Sequence, residues 1–491
     1  MIDIRENMTA LNFVNRITLF AALLLLAACS SGPKQSVNLR QIYQDAAQYH
    51  LPDRNPIIVI PGVLGSRLED ETSGKTVWGA FRKNYVSPKT AEGAQLISLS
   101  IDSLDTEDHS HQNYEFGRVR ANGVLENLEL KLAGIPISIQ AYAGILTTLG
   151  AGGYRDQAFA NFIDYGTDHF TCFQFDYDWR RDIAHNAKRF DAFIEERKRE
   201  VSAQYYKQYG IRKTDIKFDI AAHSMGALLT RYYLRYGDAS LPEDGPVSQP
   251  TWSGAKNVGR AILIAPPNAG SVEAFDQLVN GFNVGRPVLP YYPAAIIGTF
   301  PSVYQLLPRT RHKAVVWNDA AETPVDDLLD PALWQRLEWG LASQDERTQE
   351  VLADILPDVT DAAMRRDIAI KFQAHALERA RKFQEALDQP ASPPRGLELF
   401  LVAGDSSDTP EVVSVDSEDG EIDILRYGIG DKTVLRSSAL MDERIGGEWK
   451  PVLQTPVDWK SVLFVPAEHR KITSDPVFED NVLYWLLEEP R

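Results

Sequence analysis

Ser224 stands at the centre of Ala222-His223-Ser224-Met225-Gly226. A hydroxyl at the tip of a sharp turn, with tiny residues two places before and two places after it, is presented clear of its own backbone and can attack an electrophile. Gly226 meets the second requirement, and Ala222, the smallest departure from glycine, stands at the first. The competing reading is a serine that caps an ordinary helix, since Ser is a favoured N-cap. A serine hydroxyl is a poor nucleophile at neutral pH, so the chemistry also needs a base to take its proton and an acid to orient that base. Of the nine histidines, His469 alone follows both the serine and a plausible acid loop, just past the apolar run Ser461 to Pro466. For the acid, Asp405 and Asp408 follow the apolar run Leu397 to Ala403, and Asp431 lies further on between Gly430 and Lys432.

The elements around these residues must hold them in register. Lys217 to Ala222 reads as a buried strand, and Leu228, Leu229, Tyr232 and Tyr233 recur at helical spacing behind the serine. Earlier, Pro56 to Ile60 is a short continuous apolar run, hence a strand buried on both faces, and it opens into the glycine-bearing loop Pro61-Gly62-Val63-Leu64-Gly65-Ser66. Phe170 to Phe175 and Arg260 to Ala265 read as further strands, with a charged helix running to about Tyr209 between them. Val124 to Leu132 alternates and suggests a strand, Ile139 to Leu149 a helix, and Ile368 to Leu387 one long amphipathic helix. Strands alternating with helices, and the chain order serine, acid, histidine, predict an α/β-hydrolase fold: a mostly parallel sheet flanked by helices. Arg67 to Ser138 and Asn283 to Pro394 break the simple pattern beside loops that should carry the chemistry, and are expected to form a lid and a helical cap over Ser224. The resulting division is a leader over 1–28, a tether over 29–55, core over 56–282 with its lid-like excursion at 67–138, a cap insertion over 283–394, and core again over 395–491.

The leader has Arg5 and Arg16 ahead of an apolar run from Ile17 to Ala28, too short to span a bilayer and suited to a signal peptide. Leu26-Ala27-Ala28-Cys29 resembles the lipobox of bacterial lipoproteins, which implies cleavage before Cys29 and a lipid on its thiol. Ser30, rather than aspartate, follows, so an outer-membrane anchor in a bacterial envelope is expected. Cys172 is the only other cysteine, which leaves no intrachain disulfide once Cys29 is lipidated. The formal charge of −17 argues against nucleic-acid binding and against docking on anionic lipid head groups. His109 and His111 lie among acidic residues with no further spaced ligands, so they read as a solvated loop, and no metal or cofactor is called for.

Several motifs resemble the lecithin:cholesterol acyltransferase family, in that family's order. They are Pro61-Gly62 to Gly65-Ser66, Trp78, Gly153-Tyr154, Tyr177-Asp178-Trp179-Arg180, His223-Ser224-Met225-Gly226, Pro267 to Gly270, and Pro301-Ser302 with Leu306-Leu307-Pro308. The resemblance implies oxyanion donors at the N–H groups of Val63 and Met225. It points to Asp431 as the acid, in Gly-Asp-Lys-Thr-Val where the family usually has a small residue in place of Lys432. Gly430 and the β-branched Thr433-Val434 suit a rigid turn, whereas Asp405 and Asp408 sit among turn-making Ser406, Ser407, Thr409 and Pro410. The implied activity is a serine-dependent acyl-ester enzyme on lipids, a phospholipase, lipase or O-acyltransferase, passing an acyl-enzyme to water or to an alcohol. The alternative is an envelope lipoprotein that uses a hydrolase fold only for binding. In the resembling motif, Asp178, Trp179 and Arg180 read as loop braces, and His223 as a packing residue.

Overall fold

The computed structural model describes residues 38–79, 86–102, 118–132, 135–140, 142–283 and 290–490. The leader, Cys29, His109 and His111 lie outside these residues. Six strands form the central sheet: β1 (Ile57–Ile60), β2 (Cys172–Gln174), β3 (Phe218–His223), β4 (Val258–Ile264), β5 (Glu398–Gly404) and β6 (Ser461–Val465), in the spatial order β6-β5-β4-β3-β1-β2. Every neighbouring pair is parallel. The strands are mainly apolar because both faces are covered, with Asp219, Arg260 and Glu398 near the starts of β3, β4 and β5. Ile58, Ile60, Ile220 and Ala222 face a core shared with the helices Ile183–Tyr209 and Met225–Tyr236. Ile57, Val59, Ala221 and Ile264 face the opposite core, shared with helices Ala143–Ala151 and Pro476–Leu487. This is the α/β-hydrolase architecture. The carboxyl ends of its parallel strands all open on one edge, where such sheets carry their sites.

The excursion after β1 differs from its sequence reading. Val119–Val124 pairs antiparallel with Ser66–Asp70, while Asn127–Leu132 pairs with Ile135–Gln140 in a separate ribbon. Of the strand expected over Val124 to Leu132, Asn127–Leu132 forms one strand and Val124 ends the preceding one, and the helix expected from Ile139 begins only at Ala143. Ile135, Ile137 and Ile139 recur at period two, the strand period, and that alternation outweighs the helical reading there.

The block from 283 does not end at a seam. Its strand Val315–Trp317 pairs in parallel with Ser407–Val415, which itself pairs antiparallel with Ile422–Gly430. A three-stranded sheet therefore joins the insertion to the hairpin that leaves β5. The long helix spans Ala362–Asp388, N-capped by Asp361, and buries Phe372, Ala376, Ala380, Phe383 and Leu387. Its last carbonyls are taken by arginines of the Met225–Tyr236 helix: Arg231 bonds Leu387, and Arg235 bonds Ala386 and Gln389. Cationic donors there satisfy orphan carbonyls at the negative end of the helix dipole.

Candidate active site

β3 runs without a break into Ser224, whose backbone sits at φ 54°, ψ −125°, and the helix Met225–Tyr236 starts at once. A non-glycine residue held there is strained. The Ser224 side chain makes no capping bond to the helix, so the ordinary N-cap reading does not describe it. The strain presents Oγ upward, and close packing maintains it. A Cβ on Gly226 would lie 2.3 Å from the Pro61 carbonyl oxygen, and one on Gly62 would lie 2.7 Å from Ser224 Cβ. The elbow and the loop after β1 thus touch backbone to backbone. The Ala222 side chain fits, fully buried, on the helix-covered face of the sheet.

His469, four residues past β6, brings Nε2 to 2.9 Å from Ser224 Oγ. Its Nδ1 lies 2.8 Å from Asp431 Oδ2. The other oxygen, Oδ1, accepts the N–H groups of Thr433 (3.0 Å) and Val434 (2.7 Å), and the Asp431 carbonyl accepts the His469 N–H at 2.9 Å. Burial works to raise the Asp431 carboxyl, but the His469 imidazole and the two N–H groups outweigh it and hold the group below the usual carboxylate range. Asp405 is half-buried with Arg436 3.5 Å away, and Asp408 is exposed. Neither is bonded to His469. Tertiary structure removes the apparent conflict between the candidate acids. The hairpin 407–430 leaves β5 and returns, setting Asp431 against the end of that strand, where a Cβ on Gly404 would lie 2.5 Å from Asp431 Cβ.

The loop after β1 is held by bonds at nearly every peptide. The Pro61 carbonyl accepts the Tyr177 hydroxyl (2.8 Å), that of Gly62 the Gly65 N–H (3.1 Å), that of Leu64 the Trp78 indole (2.8 Å), and that of Gly65 the Leu125 N–H (2.8 Å). Among the described residues, neither the Val63 N–H nor the Met225 N–H is engaged in a hydrogen bond. The Met225 N–H is also the first of its helix, at the positive end of the helix dipole.

Tyr177 to Arg180 brace this region. Trp179 Nε1 bonds the Ser66 carbonyl at 3.2 Å, and Arg180 pairs with Asp178 at 2.7 Å while donating to the Leu96 and Ile97 carbonyls. The Ser302 hydroxyl donates to the Trp179 carbonyl at 2.6 Å. One buried motif thereby ties down segments of both excursions. Above Ser224 lies a mainly apolar cavity, walled by Leu68, Trp78 and Ile97 from the first excursion and by Tyr292, Phe300 and Val303 from the second.

Two contributors were missed by sequence reasoning. His223 is not merely packed: Nε2 is 3.1 Å from the His469 carbonyl, and Nδ1 is 3.0 Å from the Tyr142 hydroxyl. Tyr142 sits at the start of a helix, where no local pattern marks it.

Comparisons with known proteins bear on the family and the fold. The family "Lecithin:cholesterol acyltransferase" matches residues 149–386, a span that includes Ser224 and stops short of Asp431 and His469. The chain is 23% identical over 226 residues to "Putative phospholipid:diacylglycerol acyltransferase 2" of Arabidopsis thaliana, covering 46% of this chain and 30% of that protein. The match therefore spans less than a third of that relative's length. Among solved structures, "The crystal structure of Tle4-Tli4 complex" aligns with a TM-score of 0.51 and 14% identity over 88% of this chain and 98% of the other. At that identity the likeness speaks to the fold.

Proposed function

We propose, for a chain whose residues 149–386 match the lecithin:cholesterol acyltransferase family, a serine-dependent acyl-ester enzyme acting on lipids. The observation that carries this reading is the unbroken hydrogen-bonded line from Ser224 Oγ through His469 to Asp431, lying at the floor of an apolar cavity. Ser224 Oγ attacks the ester carbonyl as His469 Nε2 takes its proton. Asp431 holds the proton on Nδ1 and balances the imidazolium. The negative charge that gathers on the carbonyl oxygen is met by the Val63 and Met225 N–H groups; in a serine protease, losing one such donor costs about 3–4 kcal/mol. Collapse of the tetrahedral adduct breaks the ester bond, and His469 gives its proton to the leaving alkoxide. The acyl group stays on Ser224 until water or an alcohol, deprotonated by the same histidine, takes it away.

The cavity lining suits an acyl chain, because apolar walls replace water around it at about 25 cal/mol per Å². Lipidation at Cys29 would hold this site at an outer-membrane surface, where its substrates are concentrated; the support is the Leu26 to Cys29 sequence. The test is Ser224→Ala with a fluorophosphonate probe and a panel of lipid esters. The variant should fold, lose covalent labelling and lose turnover. Turnover within about tenfold of wild type would refute the nucleophile, since losing a triad member costs far more.

A further inference from the structure

Four distant stretches meet in one buried chain of hydrogen bonds that the acyl transfer itself does not use. The Gly62 N–H donates to the Tyr142 hydroxyl at 2.7 Å, that hydroxyl lies 3.0 Å from His223 Nδ1, and His223 Nε2 lies 3.1 Å from the His469 carbonyl. Valence sets every direction. A backbone N–H only donates and a carbonyl only accepts. His223 therefore carries its proton on Nε2 and gives it to His469, while Nδ1 accepts the Tyr142 proton. The chain requires a neutral imidazole. Burial, with His469 beside it, pushes His223 down to about 3, so the ring stays neutral at any working pH.

Each end of this chain meets the proposed chemistry. Gly62 precedes Val63. The Tyr142 bond to the Gly62 N–H and the Tyr177 bond to the Pro61 carbonyl grip the two sides of one peptide. The next peptide is planar, so fixing the Gly62 carbonyl on Gly65 aims the Val63 N–H the opposite way. The other end holds the backbone of His469, the base. The middle is His223, adjacent to Ser224.

We propose that Tyr142 and His223 are positioning residues, which lock the loop bearing the Val63 N–H and the backbone of the base in register with Ser224. The inference rests on reading Ser224 as nucleophile and Val63 as oxyanion donor. The Tyr142 ring packs in the core beside Ile145, Leu149 and Val59, a role phenylalanine would keep. The hydroxyl bonds only Gly62 and His223 among the described residues, so its removal touches the chain alone.

The experiment compares Tyr142→Phe, His223→Gln and His223→Asn with wild type in the full-length protein, using a chromogenic acyl ester, a fluorophosphonate and a trifluoromethyl ketone that mimics the tetrahedral adduct. Tyr142→Phe should lower kcat by about 10- to 100-fold with KM within about twofold, because a displaced donor acts on the transition state and not on ground-state binding. Affinity for the trifluoromethyl ketone should fall by a similar factor, which a loss of folded protein would not produce in active-site-titrated enzyme. His223→Asn, whose amide stands near the Nδ1 position, can keep the Tyr142 bond but not the one to the His469 carbonyl, and His223→Gln, whose amide reaches the Nε2 position, can keep the latter but not the former, so each should lose activity. Unchanged kcat and unchanged inhibitor affinity in Tyr142→Phe would overturn the proposal. Should Tyr142→Phe fail to fold, His223→Gln decides by the same two readouts. Wild type that is unlabelled and inert on every ester would overturn the underlying reading and this proposal with it. Labelled, active wild type beside an unchanged Tyr142→Phe would overturn the positioning role alone.

Discussion

Replacing Asp431 by asparagine should nearly silence the enzyme, and the geometry says why. Oδ1 of Asp431 faces two N–H donors, Thr433 at 3.0 Å and Val434 at 2.7 Å. An asparagine NH₂ placed there would meet donors with a donor, so the amide turns the other way and sets its NH₂ against His469 Nδ1, at the 2.8 Å contact Asp431 Oδ2 now makes. Nδ1 must then become an acceptor. The ring proton moves to Nε2, which lies 2.9 Å from Ser224 Oγ and can no longer accept the serine proton. The same inversion of tautomer costs about 10⁴ in kcat in a serine protease, or about 5.4 kcal/mol at 1.36 kcal/mol per decade. The assay is kcat on a chromogenic ester across pH, with fluorophosphonate labelling and melting temperature as controls. Asp405→Asn and Asp408→Asn, at half-buried and exposed positions, should stay within about tenfold of wild type, as surface substitutions do. An active Asp431→Asn, or a silent Asp405→Asn or Asp408→Asn, would refute the reasoning.

Asp178→Asn should destabilise the fold by about 3–5 kcal/mol, because Arg180 would remain buried without its counter-charge; an unchanged denaturant midpoint would contradict the bracing role. Glu443 bonds Arg311 and His312, joining the insertion to the C-terminal segment. Burial tends to raise its carboxyl, but Arg311 and His312 outweigh that and bring it down to about 2 from an ordinary 4.5. Its contribution to stability is therefore full above about pH 4.5 and is lost as pH falls toward 2. Glu443→Gln should be less stable at neutral pH and lose less on acidification; identical acid limbs in thermal melts would count against this. Cys29→Ser should abolish incorporation of a fatty-acid probe and leave the protein uncleaved or mislocalised, and label that persists would exclude Cys29 as the acceptor.

Ser224, His469 and the sheet that positions them were legible in the chain because each rests on local chemistry. Buried parallel strands are largely apolar, so Pro56 to Ile60, apolar throughout, and Lys217 to Ala222, which ends in Ile220-Ala221-Ala222, declare themselves. A turn in which two backbones touch admits only the smallest residues, so Gly226 marks the elbow. His469 follows from chain order, since the base must come from the end of a late strand. The acid was less legible. Residue reading pointed to the end of β5 and the family motif pointed to Asp431, and both refer to one place, because the hairpin 407–430 carries the chain out and back to Gly404. The helix expected from Ile139 starts only at Ala143 because Ile135, Ile137 and Ile139 alternate at the strand period and pair with 127–132. Tyr142 and the bonded role of His223 left no trace, since hydrogen bonds among residues 62, 142, 223 and 469 have no sequence period. Local sterics and the hydrophobic effect can be read along a chain; which buried donor finds which acceptor is decided only when the layers close and desolvation makes every unpaired polar group costly.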